Sequence, residues 1–179
     1  MPNIPFMIWE GAFSDNNIKN IIDRAEAQGL EEAGTMSGIT EGVRQSKVTW
    51  FSDDLNMRDQ IWDFVLEANR QWGFNVYKYA DIQYTIYEGS NKGHYHWHSD
   101  VDWLSPIASQ RKISITVQLS GPDEYEGGDF EIQGASLTPE YKTRGTVLAF
   151  PSYHMHRVAP VTSGVRRSLV AWFEGPSWR

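Results

Sequence analysis

Residues 93–100 read Gly93-His94-Tyr95-His96-Trp97-His98-Ser99-Asp100, so three of the chain's five histidines fall in one short stretch. The other two, His154 and His156, lie together far downstream. In an extended strand, side chains two apart project to the same face. His98 and Asp100 can therefore present an imidazole nitrogen and a carboxylate oxygen to one ion. A third ligand from the downstream pair, His154 or His156, would complete a two-histidine, one-carboxylate set with open positions, the donor set of non-haem ferrous sites. The alternation leaves a second possibility, because His94, His96, His98 and Asp100 would all share a face of a regular strand. A His96/His98 pair with a later histidine would form a cupin-like site. That arrangement wants a glutamate soon after the pair, whereas residues 99–104 offer only aspartates.

Ten residues after His156 comes Arg166, with Pro160 and Gly164 between them. These two suggest a turn that returns the chain in a neighbouring strand, aiming Arg166 into the cavity that holds His156. A guanidinium grips a carboxylate through two parallel charge-assisted hydrogen bonds, so it suits a dicarboxylate co-substrate. Arg167 should face the opposite way, into solvent.

The elements that must position these groups are two helices followed by many strands. Ser14-Asp15 can cap a first helix with Ile18, Ile21, Ile22 and Ala25 at helical spacing and Gly29 as its stop. Ser52-Asp53 can cap a second, with Ile61, Phe64, Val65 and Ala68 on one face and Gly73 near its end. Residues 34–49 between them are polar and glycine-rich, turning extended at Lys47–Trp50. From residue 74 the period becomes two. Ile82, Tyr84 and Ile86 alternate with Gln83, Thr85 and Tyr87, and Ile113, Ile115, Val117 and Leu119 alternate with Ser114, Thr116, Gln118 and Ser120. Later runs centre on 128–132, 146–150, 156–161 and 168–173, separated by turn residues. About seven or eight short strands without intervening helices indicate an antiparallel sandwich or jelly roll. With no repeat, linker or low-complexity tract, one domain is expected over 1–179, with helical support at about 14–72 and a β core at about 74–175.

Composition narrows the chemistry. The chain has 179 residues and no cysteine, which removes disulfides, zinc-thiolate sites and thiol nucleophiles. A metal must be held by imidazole and carboxylate. The net charge of −7 disfavours a phosphate-tracking nucleic-acid binder. No window approaches the roughly 18 apolar residues of a membrane span, and the start Met1-Pro2-Asn3-Ile4-Pro5 lacks a basic region followed by an apolar run. The cytoplasm is the expected location.

Several motifs in order resemble the prolyl hydroxylase-like branch of the 2-oxoglutarate/iron(II)-dependent dioxygenases. They are Tyr87-x-Gly89, Tyr95-x-x-His98-x-Asp100, Arg111 before a strand ending at Leu119, Glu126-Gly127-Gly128, His156-x-Val158-x-Pro160, Arg166 and Trp172, over residues 83–173. The resemblance implies a double-stranded β-helix (jelly roll) with the helices packed on one sheet. It implies iron ligation by His98, Asp100 and His156, and capture of the distal carboxylate of 2-oxoglutarate by Arg166. Tyr87, Thr116 and Gln118 would line the co-substrate pocket, although Gln118 stands where some members have tyrosine. Tyr95, Arg111 and Trp172 would flank a target proline, an aromatic pair cradling the ring and the arginine meeting a peptide carbonyl. Apart from the resemblance, the position of Trp97 between His96 and His98 should point it away from the metal, and the polar surroundings of Trp50 and Trp103 suggest that these two would border a substrate groove. The cofactors implied are Fe(II), 2-oxoglutarate and O2, and the resemblance admits ascorbate. The reaction implied is hydroxylation of a substrate C–H, yielding succinate and CO2, with a prolyl residue of a peptide or protein as leading substrate. A free amino acid or other small molecule is the alternative, and a non-catalytic cupin-like binding module is the alternative of another class. Neither nucleic acid nor membrane is an expected partner.

Overall fold

The computed structural model describes residues 4–35, 38, 41–104 and 108–178. Readings that fall on residues 1–3, 36, 37, 39 and 40, at the start and within the 34–49 loop, lie outside these. The elements in order are β1 (Met7–Trp9), α1 (Asp15–Gln28), β2 (Glu31–Glu32), β3 (Arg44–Gln45), β4 (Lys47–Trp50), α2 (Leu55–Trp72), β5 (Ala80–Glu88), β6 (His94–His98), β7 (Ser109–Gln118), β8 (Tyr125–Gly127), β9 (Phe130–Ile132), β10 (Val147–Pro151), β11 (His156–Val158) and β12 (Val161–Pro176).

Both helices begin and end for local reasons. Ser14 caps α1 by accepting from the Asn17 backbone N–H, and Gly29 stops it. The cap of α2 is Asp54, whose side chain accepts from Met57 N–H, rather than Ser52-Asp53. Asp54 directly precedes the first helical residue and so reaches the free amide three positions on, and its carboxylate also meets Arg24. Gly73 ends α2 in the left-handed conformation.

An antiparallel sheet runs β1-β10-β7-β12-β5-β4-β2, with β8 paired to one end of β12, and faces a smaller sheet β3-β6-β11-β9. Period-two alternation divides each central strand between two environments. Ile82, Tyr84 and Ile86 of β5, Ile113, Ile115 and Val117 of β7 and Leu169, Ala171 and Phe173 of β12 bury against Ile18, Ile21 and Ala25 of α1 and Met57, Ile61, Val65 and Ala68 of α2. The opposite faces of these strands look into the space between the sheets, where Phe130, Ile132, Leu148, Phe150, Val158 and Val161 form a second apolar cluster. This is the jelly roll, with helices on one sheet. Ile61 is fully buried at the centre of the helix–sheet layer. Ile61→Ala should lower the unfolding free energy by about 2–5 kcal/mol, read as a shift of the denaturation midpoint.

Two local details differ from the simple pattern. The 156–161 run is divided: β11 ends at Val158 and β12 begins at Val161. Pro160 belongs to that connection, but Gly164 lies inside β12 with φ +69°, where a Cβ would stand 2.1 Å from the Glu124 carbonyl oxygen. Gly164 therefore marks a close crossing against β8. The chain does not return beside β11; it crosses to the larger sheet.

Candidate metal centre and co-substrate cavity

The ligand-bearing strand β6 is not regular. Opposite β11, His156 pairs with His98 but Val158 pairs with Tyr95, so β6 carries one extra residue between them. Such a bulge breaks the two-residue alternation. Tyr95 and His98, three apart, both face the cavity, with rings stacked 3.6 Å between centroids. His96 and Trp97 are exposed, Trp97 lying beneath the Arg157 guanidinium. The cupin-like His96/His98 pairing is therefore excluded by the backbone, and the expectation that His94, His96, His98 and Asp100 share one face is corrected.

On the neighbouring strands β6 and β11 of the smaller sheet and just past the end of β6, the donor atoms of His98, His156 and Asp100 lie within 4.8 Å of one another, the one such group of three among the described residues. The Nε2 atoms of His98 and His156 stand 3.6 and 3.5 Å from the Asp100 carboxylate oxygens. Each histidine is oriented from behind: His98 Nδ1 donates to the His96 carbonyl (2.7 Å) and His156 Nδ1 to the His154 carbonyl (2.9 Å). A carbonyl only accepts, so the Nδ1 proton is fixed and the Nε2 lone pair is turned toward Asp100. Burial pushes the His156 imidazole down to about 4, an effect the nearby Asp100 carboxylate partly offsets. Burial alone would raise Asp100, yet the His156 and His98 imidazoles, with Arg111, hold it well below the usual carboxylate range. A neutral imidazole and an ionised carboxylate are the ligating forms, so the donor set fits a divalent metal such as ferrous iron.

Asp100 is itself held. Ser114 Oγ on β7 donates to its Oδ2 at 2.6 Å, Ser152 Oγ lies 2.9 Å from Ser114 Oγ, and the Asp100 N–H donates to the Ser152 carbonyl. Ser114→Ala removes the bond that orients the carboxylate and should weaken metal affinity about tenfold while leaving the fold intact, measured by iron titration.

The three donors open into a cavity between the sheets. Its walls include Tyr87, Tyr95, Thr116, Arg166 and Trp172. Arg166 also borders a smaller, deeper space with Thr116, Gln118 and Tyr141. Arg166 is 2% exposed, and its Nε has no partner. A buried guanidinium with an unanswered donor is costly unless a ligand supplies the acceptor. The Arg166 guanidinium lies 5.7 Å from the Tyr87 ring, on the strand that pairs with it. Gly128, φ +61°, makes room for this arginine: a Cβ there would sit 3.1 Å from Arg166 Cδ. Gln118 donates to the Tyr125 hydroxyl and the Ser120 carbonyl, leaving its own oxygen buried and unmatched.

At the mouth, Arg111 is not itself a wall of the cavity. Its guanidinium covers the outer face of Trp172 at 4.1 Å and stands 3.8 Å from Asp81. Trp50 packs 6.2 Å from Trp172, whereas Trp103 is largely exposed. Burial raises the Tyr95 hydroxyl to about 12, with Arg44 opposing. Sequence reasoning missed Arg44. It comes from the two-residue strand β3, lies 4.6 Å over the Tyr95 ring and donates to Ser46, Gly34 and Gln83. Its only local signal was the alternation of Arg44 and Ser46 inside a polar stretch. Ser152, Phe130 and Phe150 were missed as well, since nothing nearby in sequence marks them.

Residues 82–174 match the 2OG-Fe(II) oxygenase superfamily. A PKHD-type hydroxylase of Synechococcus sp. (strain CC9311) is 36% identical over 83% of this chain and 68% of its own length. The viral collagen prolyl hydroxylase of Paramecium Bursaria Chlorella virus-1, solved as its 2OG complex, superposes with a TM-score of 0.75 at 21% identity, covering 97% of both chains. A Trichoplax adhaerens prolyl hydroxylase, solved with a hypoxia inducible factor oxygen degradation domain peptide fragment, also gives 0.75, at 14% identity, covering 96% of this chain and 84% of that one. The chain belongs to the 2OG-Fe(II) oxygenase superfamily, in its prolyl hydroxylase-like branch. It is an oxygenase whose cofactors are Fe(II) and 2-oxoglutarate. Among the described residues, no helix is long and apolar enough to cross a membrane.

Proposed function

We propose that the protein hydroxylates a prolyl residue in a peptide or protein. The carrying observation is a three-donor cluster opening into a cavity lined at one end by a buried arginine whose Nε has no partner and at the other by aromatic rings. Bound ferrous iron and 2-oxoglutarate supply an O2-dependent oxidative decarboxylation that leaves succinate and CO2 and hydroxylates a substrate C–H. The side chains bind, orient and exclude water. His98, Asp100 and His156 would hold the metal. Arg166 takes the distal carboxylate of 2-oxoglutarate, with Tyr87, Thr116 and Gln118 shaping that end. Tyr95 and Trp172 wall the mouth with faces suited to a pyrrolidine ring. Arg111, stacked on Trp172, keeps that ring in place and offers donors toward a peptide backbone.

The relatives support the peptide reading, since a PKHD-type hydroxylase and prolyl hydroxylases are what this chain resembles. The test is incubation of the iron-loaded protein with 2-oxoglutarate and a panel of proline-containing peptides. Peptides should gain about 16 Da, one oxygen atom, with matching succinate. Succinate formed only with free amino acids would replace the peptide by a small molecule. No succinate under any condition would leave a binding module.

A further inference from the structure

The device that orients His98 and His156 occurs a third time, at a histidine the active centre does not use. His94 Nδ1 donates to the Lys92 carbonyl at 2.8 Å. This is the same contact, to the carbonyl two residues earlier, that His98 makes with His96 and His156 with His154. It fixes the proton on Nδ1 and leaves Nε2 as the sole free donor of the ring, the arrangement a metal-binding histidine adopts. Lys92 reaches this position by taking a left-handed conformation, φ 55°, the one non-glycine residue among those described to do so. Backbone held in a sparsely populated region is a place to look for function.

Beside His94 stands His96, its ring centroid 5.1 Å away and the planes at 69°. Two imidazoles that share an ion at about 2.1 Å through Nε2, at angles from a right angle to tetrahedral, place their centroids about 4.5–5.3 Å apart. The observed spacing falls in that range. His96 is exposed and His94 half-buried, so solvent can complete the coordination.

We infer that His94 and His96 form a second divalent-metal site on β6, outside the cavity that His98 faces. Its two imidazoles and open solvent side favour Cu(II), then Ni(II) and Zn(II), over Fe(II) and Mn(II). Magnesium and calcium require oxygen donors that this pair lacks. The site belongs to the strand that delivers Tyr95 and His98 inward, and the one-residue bulge falls between those two residues, across the His96 position.

The probe is Cu(II) added to the apo, tag-free full chain, with bound metal counted after dialysis. Wild type should hold two equivalents, one in each site. His94→Gln/His96→Gln should hold one and keep its Fe(II) binding, since neither ring touches the cavity. His98→Ala/Asp100→Ala should also hold one, with an electron paramagnetic resonance signal showing two equivalent imidazole nitrogens. His96→Gln alone alters an exposed side chain and should weaken the outer equivalent at least tenfold. An unchanged count in His94→Gln/His96→Gln, or a one-nitrogen signal in His98→Ala/Asp100→Ala, would overturn the inference.

Discussion

Asp100→Ala should leave a folded protein that binds no ferrous iron and turns over no 2-oxoglutarate. The carboxylate is the only anionic donor of the cluster and the point on which both imidazoles converge, its two oxygens standing near His98 Nε2 and His156 Nε2. Without it, two neutral rings remain, with no anionic donor to offset the charge of a ferrous ion. The alanine also frees Ser114 and Ser152, which can bond to each other, so the fold should survive. His98→Ala and His156→Ala should match it. His154→Ala should retain iron and activity, because it is the backbone carbonyl of residue 154 that His156 uses, and any residue provides that. Metal analysis and succinate production check the set. Wild-type iron in the Asp100→Ala protein would remove Asp100 from the centre, and a loss in His154→Ala equal to that in His156→Ala would mean the wrong partner is identified.

Arg166→Ala should spare iron binding yet raise the 2-oxoglutarate requirement roughly 30- to 150-fold, the equivalent of about 2–3 kcal/mol for charge-assisted hydrogen bonds lost from a dry site. Arg166 is among the largest fully buried side chains, so alanine also opens a void and some stability should be lost. Arg166→Lys separates the two effects. It keeps the charge and most of the volume but not the planar fork, and should fall between wild type and alanine. The measurement is a 2-oxoglutarate titration of succinate formation, with iron content held equal. An unchanged half-saturation in Arg166→Ala would take this residue out of the clamp.

Much of this layout is legible in the residues because the sheet has two unlike neighbours. The helices cover one face of β5 and β7 and demand isoleucine and valine, while the cavity lies on the other and tolerates Gln83, Thr85, Ser114 and Thr116. Alternation over Ile82–Tyr87 and Ile113–Ser120 therefore shows both the strands and which side is polar. Both helices show their faces and their glycine stops, with only the cap of α2 displaced, to Asp54, because Asp53 and Asp54 are chemically equal candidates. What cannot be read locally is what depends on pairing. The extra residue in β6 exists only relative to β11, and no periodicity reveals it. Gly164 looks like a turn residue and is a crossing point within a strand, since the carbonyl it must avoid comes from Glu124, 40 positions away. Arg44 reaches the site from an edge strand of two residues, too short to leave a pattern.

The length of β12 has one more implication. Arg166, Ser168, Val170 and Trp172 all face the cavity from this single unbroken segment. Six residues of extended chain separate the first from the last, a distance of about 20 Å. One wall of the cavity is thus a single strand whose ends, the Arg166 guanidinium and the Trp172 ring, are held at a fixed spacing. Under the role proposed for Arg166, diversification of the surrounding loops would retune which molecules approach Trp172 without moving the co-substrate end, so selectivity and co-substrate affinity would be free to evolve as separate properties.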